Sequence, residues 1–319
     1  MIQGLVDQDI KPSERLCAGV DDSIDLEFGV DNTEEALISS LENKEVLFTT
    51  SRLPVTRQVL TEVTGLRLVA KIGTGLDSID LGAAAANDVT VVYTPGLNAR
   101  SVAEHALSLL LAVNRNVILG QRTLEAGGWR DSMPTSQPVA GKTVGIIGFG
   151  NVGSRVAGLL SGFDVDILTY DPYIHEIDTQ ITGAERASLE KLLTSSDAVI
   201  VTAELTEETC RMIDREALEL MSERATLVNT ARGPVVDQEA LIEAIRDGTI
   251  AGAGLDVFET EPLPSDSSLH EYDNIVVTPH IGASTIDARE AAIDTLSDLA
   301  NMYINDDRLP ERFVAVRPS

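Results

Sequence analysis

Short apolar runs recur along the chain, and each is followed by a stretch whose apolar positions have helical spacing. Before residue 100, the runs Val46-Leu47-Phe48-Thr49, Leu66 to Ala70 and Val89 to Tyr93 predict strands; Thr33 to Leu41, Thr56 to Val63 and Asp80 to Ala86 predict helices. Strands alternating with helices read as a small parallel-sheet domain. Tyr93-Thr94-Pro95-Gly96-Leu97-Asn98, with its Pro-Gly turn, leads into Ser101-Val102-Ala103-Glu104, which reads as a helix start with serine as cap and glutamate as capping-box partner. The helix that follows, to about Leu119, is apolar around much of its circumference. That predicts burial on more than one side, under a sheet or in a subunit interface.

A second series begins at Lys142-Thr143-Val144-Gly145-Ile146-Ile147 and continues through Asp166 to Tyr170, Ala198 to Thr202, Ala225 to Asn229, Gly252 to Asp256 and Ile275 to Thr278. Helices are expected between these strands, most clearly over Gln238 to Arg246. The last amphipathic helix, Thr285 to about Tyr303, belongs to no further strand in this reading and must pack on the first domain. The predicted fold class is therefore α/β, with two doubly wound parallel-sheet domains. Residues 100–285 are inserted into a discontinuous domain of residues 1–99 and 286–319, with crossings near 97–101 and 283–287. Two crossings make a hinge, and the cleft between domains is where a substrate is expected.

The second series opens on Gly148-Phe149-Gly150-Asn151-Val152-Gly153, placed between a β-branched run and an apolar helical pattern at Val156, Leu159 and Leu160. Asp171 ends the next strand, 171 − 153 = 18 residues beyond the third glycine, against about 20 in the dinucleotide-binding βαβ unit. The first glycine permits the tight turn, the second lets backbone amides approach a pyrophosphate, and the third lets helix and strand pack closely. The helix N-terminus carries the diphosphate charge. Asp171 accepts hydrogen bonds from ribose hydroxyls and repels a 2′-phosphate, so NAD is expected over NADP. A glycine turn in a nucleotide-free protein is the alternative, and the agreement of four features disfavours it.

Charge sharpens this picture. The chain carries 24 basic and 51 acidic residues, a net −27, so nucleic acid and anionic membranes are not expected partners. Lysine occurs only at Lys11, Lys44, Lys71, Lys142 and Lys191, and the acids are dispersed, as at Asp21-Asp22, Glu34-Glu35, Glu207-Glu208 and Asp306-Asp307. A lysine-poor acidic surface suits concentrated salt, where the Debye length falls to about 3 Å at 1 M; a halophilic origin is the expectation, with an ordinary acidic cytosolic enzyme as the alternative. Cys17 and Cys210 form neither a disulfide framework nor a zinc pattern, and no metal site is expected. The N-terminus lacks the features of a secretion signal, and Ala106 to Val113 is too short to span a bilayer. A soluble, cytoplasmic protein is expected.

Three residues follow expected strands of the second series, where ligands bind in open α/β sheets: Arg232, Glu261 and His280. Singly they read as a surface arginine, one acid among 51 and a strand-end histidine. Together they supply what hydride transfer to a 2-oxo acid requires, a guanidinium for carboxylate and carbonyl oxygens and an imidazole to exchange the proton. A carboxylate beside an imidazole favours its charged form and fixes its orientation. His105, His175 and His270 lack such a setting and read as structural or exposed.

These residues resemble the NAD-dependent D-2-hydroxyacid dehydrogenases over nearly the whole chain. The motifs that carry the resemblance are Gly148 to Gly153 with Tyr170-Asp171-Pro172; Asn229-Thr230-Ala231-Arg232-Gly233; Leu255 to Pro262, containing Asp256 and Glu261; and Thr278-Pro279-His280-Ile281-Gly282-Ala283-Ser284-Thr285. The resemblance implies a Rossmann NAD-binding domain set into a flavodoxin-like substrate domain. It implies Arg232, Glu261 and His280 as catalytic residues and Asp256 near the nicotinamide carboxamide. The cofactor contacts it implies are Gly148, Gly150, Asn151, Val152, Gly153, Asp171, Thr202, Thr230, Ala231, Asp256 and Gly282. It also implies a homodimer built around the long helix from Ser101 and a Gly127-Gly128-Trp129 arm.

Within the family the chain is most similar to phosphoglycerate dehydrogenases lacking the carboxy-terminal regulatory domain, through Gly73-Thr74-Gly75-Leu76-Asp77-Ser78-Ile79-Asp80 and Asn98 to Glu104. Lys71, Gly73, Thr74, Gly75, Asn98, Arg232 and His280 are the implied substrate residues, the glycine-loop amides taking the carboxylate of a small anionic 2-hydroxy acid. Lys71 stands where relatives commonly carry arginine, and Arg52 is a candidate second cation. Glu204 stands where relatives usually have proline, an extra acid that disfavours NADP if it faces the cofactor. D-3-phosphoglycerate is the first expected substrate, hydroxypyruvate or glyoxylate the second. An NAD-sensing corepressor-like binding protein is the alternative of another class, and formate dehydrogenases are disfavoured because they carry glutamine at the Glu261 position.

Overall fold

The computed structural model describes residues 1–318, the side chain of Glu176 excepted; Ser319, the end of the expected 286–319 segment, lies outside the described residues. The strands are β1 (Ile2–Val6), β2 (Ile24–Phe28), β3 (Val46–Thr49), β4 (Leu68–Lys71), β5 (Thr90–Tyr93), β6 (Thr143–Ile147), β7 (Asp166–Tyr170), β8 (Glu185–Arg186), β9 (Ala198–Val201), β10 (Thr226–Asn229), β11 (Gly252–Leu255), β12 (Ile275–Val277) and β13 (Val314–Val316). The chain divides into two compact units, residues 1–98 with 284–319, and residues 99–283.

The first unit holds a six-stranded sheet in the order β13-β5-β4-β3-β1-β2. It is parallel except for β13, which runs antiparallel to β5. β3 and β4 are buried at every position, as expected for parallel strands covered on both faces. Thr33, Thr56 and Asp80 each cap a helix, accepting a hydrogen bond from the amide of Ala36, Val59 and Ala83. One core gathers Leu37, Leu47, Leu60 and Val69; another, on Phe48 and Leu68, takes Ile293, Leu296 and Leu299 of the helix Ile286–Ile304. That helix was expected to lead to no further strand, but β13 follows it. The three residues Val314–Val316 are too short to register as a periodic pattern.

The second unit holds a seven-stranded parallel sheet in the order β12-β11-β10-β9-β6-β7-β8. The chain winds outward from β6 through β7 to β8, then returns to the other side of β6 and continues from β9 to β12. β6 and β9 therefore flank a topological switch point. Two hydrophobic cores pack against this sheet, one around Leu192, Val199, Leu227 and Leu241 and one around Leu110, Ile146, Val156 and Ile200.

The long helix differs from expectation at both ends. It begins at Ala99, so Ser101 lies within its first turn, and Glu104 pairs with Arg100 at 3.0 Å instead of completing a capping box. It stops at Asn114 because Asn116 adopts a left-handed conformation (φ 53°), which asparagine tolerates better than most residues; a separate helix then runs from Val117 to Glu125. Among the described residues no single helix is long and apolar enough to cross a membrane.

Candidate active site

The turn after β6 shows why each glycine is present. Gly148 has φ +88°, and a β-carbon there would lie 2.5 Å from the backbone of Ala203, just past β9. At Gly153 a β-carbon would sit 2.1 Å from the Gly148 carbonyl oxygen, so the helix Gly153–Leu160 closes tightly on the turn. Gly150 has nothing within 4 Å of such an atom. The middle glycine thus leaves an open backbone face at a helix N-terminus, where a diphosphate fits.

Asp171, just beyond β7, is held over this turn: one carboxylate oxygen accepts from the Phe149 amide at 2.8 Å and the other from the Tyr173 amide at 2.9 Å. Thr202 is fixed by donating its hydroxyl to the Gly148 carbonyl at 2.7 Å. Asn151 is exposed, Val152 half-buried and Glu204 exposed. Thr230, after β10, has a buried hydroxyl with no hydrogen-bond partner. Buried polar groups are nearly always satisfied, so an orphan here, beside buried Ala231, fits a polar group brought by a ligand.

Arg232, Glu261 and His280 follow β10, β11 and β12, which are adjacent in the sheet. Asn229 braces the first of these loops, accepting from the Ala231 amide and donating to the Arg232 carbonyl, both at 3.0 Å. The Arg232 guanidinium donates to the Ala231 carbonyl at 2.8 Å. Glu261 accepts from the Phe258 amide at 3.0 Å through one oxygen and faces His280 Nδ1 at 2.8 Å through the other. Burial by itself pushes the Glu261 carboxyl up, but the hydrogen bonds from His280 and the Phe258 amide and the charges of His280 and Arg232 outweigh it and hold the pKa below its ordinary value. An ionised carboxylate only accepts, so Nδ1 carries a hydrogen and Nε2 is the ring nitrogen able to exchange a proton. His280 itself is left-handed, with φ +52°.

The segment after His280 is built around Asp256. This side chain, 3 % exposed, accepts from the Thr278 hydroxyl at 2.6 Å and from the amides of Ile281 and Gly282 at 2.9 and 2.8 Å, while its main-chain carbonyl accepts from the His280 amide at 2.9 Å. His105, read from sequence as structural or exposed, completes the group: its Nε2 is 2.9 Å from Thr278 Oγ1 and 3.2 Å from Asp256 Oδ1. No local signal marks it, since its partner Thr278 is 173 residues away.

In the first unit Lys71 ends β4 and is 1 % exposed, with Nζ 3.0 Å from Ser51 Oγ and 3.2 Å from the Ile72 carbonyl. The Gly73 amide is taken by Thr94 Oγ1 at 2.8 Å, and the Thr74 hydroxyl accepts from the Gly96 amide at 3.3 Å. Gly75 and Asn98 are half-buried. Arg52 differs from its expected role as a second cation. It is bound through Nε and Nη2 to buried Asp7 at 2.9 and 2.7 Å and donates to the Val30 carbonyl at 2.8 Å. Asp7 ends its travel just past β1, the parallel neighbour of β3, so the pairing follows from strand order and not from sequence proximity.

The family described as "D-isomer specific 2-hydroxyacid dehydrogenase, NAD binding domain" matches residues 107–282, more than half of the chain and a segment containing the glycine turn, Asp171, Arg232, Glu261 and His280. The chain belongs to this family. The matched segment is the NAD-binding domain, and NAD is the cofactor that the open face at Gly150, Asp171 and the orphaned Thr230 hydroxyl suit. The D-3-phosphoglycerate dehydrogenase of Mycobacterium leprae (strain TN) is 36% identical over 94% of this chain, which spans 57% of that protein. The chain thus spans little more than half the length of this relative. The glyoxylate reductase of Korarchaeum cryptofilum (strain OPF8) is 35% identical, covering 96% of this chain and 95% of its own. Among solved structures, the NAD-dependent formate dehydrogenase of Staphylococcus aureus in complex with NAD superposes with a TM-score of 0.87 at 28% identity, over 100% of both chains.

Asp171 gives this family member a direct test. Its two oxygens are held by amides of the same glycine turn and loop, which fixes the carboxylate beside the turn. The wild type is expected to bind NADH in preference to NADPH, and Asp171→Ala to narrow the ratio of the two dissociation constants, measured by nucleotide fluorescence. Preference of the wild type for NADPH removes the assignment of Asp171 to the ribose.

Proposed function

We propose that the chain is a reversible NAD-linked oxidoreductase of a small anionic D-2-hydroxy acid, with D-3-phosphoglycerate as its leading substrate. The observation that carries this reading is the His280–Glu261 pair at 2.8 Å, on the strand-end loops next to that of Arg232. Bound NAD supplies the hydride acceptor. Arg232 binds the substrate carboxylate and carbonyl oxygens, where a forked guanidinium gives orientation as well as charge. His280 Nε2 removes the hydroxyl proton in oxidation and returns it in reduction, and Glu261 orients the ring through Nδ1. The glycine turn, Asn151, Val152, Thr202, Thr230, Ala231, Asp256 and Gly282 are assigned to the cofactor, and Lys71, Thr74, Gly75 and Asn98 to the substrate; the Gly73 amide, expected to take the substrate carboxylate, is instead bound to Thr94. Residues 100–285 then form the cofactor domain and residues 1–99 with 286–319 the substrate domain.

Reduction of glyoxylate or hydroxypyruvate is the second reading. Its support is that Arg52 is spent on Asp7, which leaves fewer cations for a phosphate, and that a glyoxylate reductase matches at nearly equal length. Turnover of NADH with phosphohydroxypyruvate, hydroxypyruvate, glyoxylate and pyruvate decides between them. An enzyme inert toward all four loses the dehydrogenase reading. Lys71→Ala is expected to raise KM for the phosphorylated substrate by tenfold or more, roughly the worth of a hydrogen bond between charged groups, and to change KM for glyoxylate much less. Equal effects on both substrates would remove Lys71 from phosphate recognition.

Two further features belong to this reading. The helix Val117–Glu125 has no buried residue and leaves Val117 and Leu124 exposed, and Trp129 is 65 % exposed; such an apolar surface supports a homodimer. The dispersed charge of −27 with five lysines supports halophilic adaptation, and a cytoplasmic location belongs to the same reading. The same substrate panel run at low and at about 1 M salt checks this, with full activity and stability in dilute buffer as the result against it.

A further inference from the structure

The imidazole of His105 stands on a helix that carries none of the assigned chemistry, yet it reaches the one buried carboxylate under the His280 segment. The protons there can be counted. Asp256 accepts from Thr278, Ile281 and Gly282, and an ionised carboxylate has no hydrogen to give. The single hydroxyl hydrogen of Thr278 goes to Asp256 Oδ1 at 2.6 Å. Thr278 Oγ1 therefore only accepts from His105, and the hydrogen between them sits on His105 Nε2. Burial pushes the Asp256 carboxyl up, but the hydrogen bonds from His105, Thr278, Ile281 and Gly282 outweigh it, and the pKa lies below its ordinary value. The group stays charged, held by these four donors.

The consequence falls on His280. Its amide is bound to the Asp256 carbonyl and the next two amides to the Asp256 carboxylate, while its own φ of +52° is one that side-chain-bearing residues rarely adopt. Space is also short: a β-carbon at Gly282 would meet Asp256 Oδ2 at 2.9 Å and His105 Cδ2 at 3.4 Å, so ring, carboxylate and turn pack as one group. We propose that His105 is a positioning residue, which as an N–H donor anchors Thr278 and Asp256 and thereby fixes the backbone turn that aims His280. The inference rests on the dehydrogenase reading for its kinetic part only. The geometry of His280 is measured independently.

The test compares His105→Leu, which removes the donor, with His105→Gln, whose amide nitrogen replaces Nε2–H without a titrating ring. The chain has four histidines, so isotope labelling of histidine alone gives ring signals that single substitutions assign. In His105→Leu the His280 ring signals are expected to move and kcat to fall roughly tenfold or more, the scale of a lost hydrogen bond to a charged group. His105→Gln is expected to keep the His280 signals in place and kcat within about threefold of wild type, the scale of a weak hydrogen bond. Unmoved His280 signals in His105→Leu overturn the proposal, as does equal impairment of the two variants, which assigns the effect to ring volume. If His105→Leu does not fold, Thr278→Val removes the same link, and its His280 signals decide. A wild type inert toward every 2-oxo acid removes the dehydrogenase reading and leaves the spectroscopic result to judge His105.

Discussion

Replacing His280 by alanine is expected to lower kcat for 2-oxo acid reduction by roughly 10²–10⁴, the factor typical of a positioned general acid, with the fold intact because the side chain is 38 % exposed. Reduction needs the imidazolium form, which delivers its proton to the forming alkoxide. Glu261 is ionised, its pKa held below the ordinary carboxylate value against burial by the His280 and Phe258 hydrogen bonds and the nearby charges of His280 and Arg232. The carboxylate lies 2.8 Å from His280 Nδ1, so its charge acts directly on the ring. Glu261→Gln removes that charge while keeping an oxygen for Nδ1–H, and the pH profile of the reduction rate is expected to change. Rate profiles of the two proteins across pH settle the matter. A superimposable profile removes the electrostatic coupling, and a His280→Ala enzyme near wild-type activity removes the acid.

Much of this arrangement was legible in the sequence, for a physical reason. Buried parallel strands read as apolar runs, and consecutive βα units bring consecutive strand ends side by side, so residues after Asn229, Leu255 and Val277 arrive at one edge of the sheet. The glycine turn was legible because Gly148 and Gly153 each answer a separate steric demand and Gly150 keeps the backbone between them open. What stayed hidden depends on pairings across long separations. Arg52 meets Asp7 because β1 and β3 are neighbours, and His105 meets Thr278 because its helix lies against the sheet. Neither contact has a local pattern, and in a chain with 51 acidic residues no particular acid announces itself as a partner. The helix boundary at Asn116 was hidden likewise, since apolar spacing continues through Val117 and Ile118 while the backbone turns left-handed.

Gly233→Ala is expected to damage stability and catalysis together. A β-carbon there would lie 1.9 Å from the carbonyl carbon and oxygen of Phe258 and 2.4 Å from the amide nitrogen of Glu259. All three atoms are main chain, so no side chain can swing aside. Gly233 follows Arg232, and the Phe258 amide braces Glu261; the missing side chain therefore lets the arginine loop and the glutamate loop touch. Overpacking costs typically 1–3 kcal/mol, and main-chain crowding puts this site at the upper end, so Tm falls. Displacement of about 1 Å at a catalytic group costs roughly 10²-fold, so kcat/KM falls by that order even in the folded fraction. Gly150→Ala is the control, because nothing lies within 4 Å of its added atom. It is expected to keep the wild-type Tm and to weaken NADH binding, since the new methyl occupies the face left open for the diphosphate. Gly233→Ala with unchanged melting and turnover would mean that the Arg232 and Glu261 loops do not meet as described. Gly150→Ala with undiminished NADH affinity would move the diphosphate off this turn.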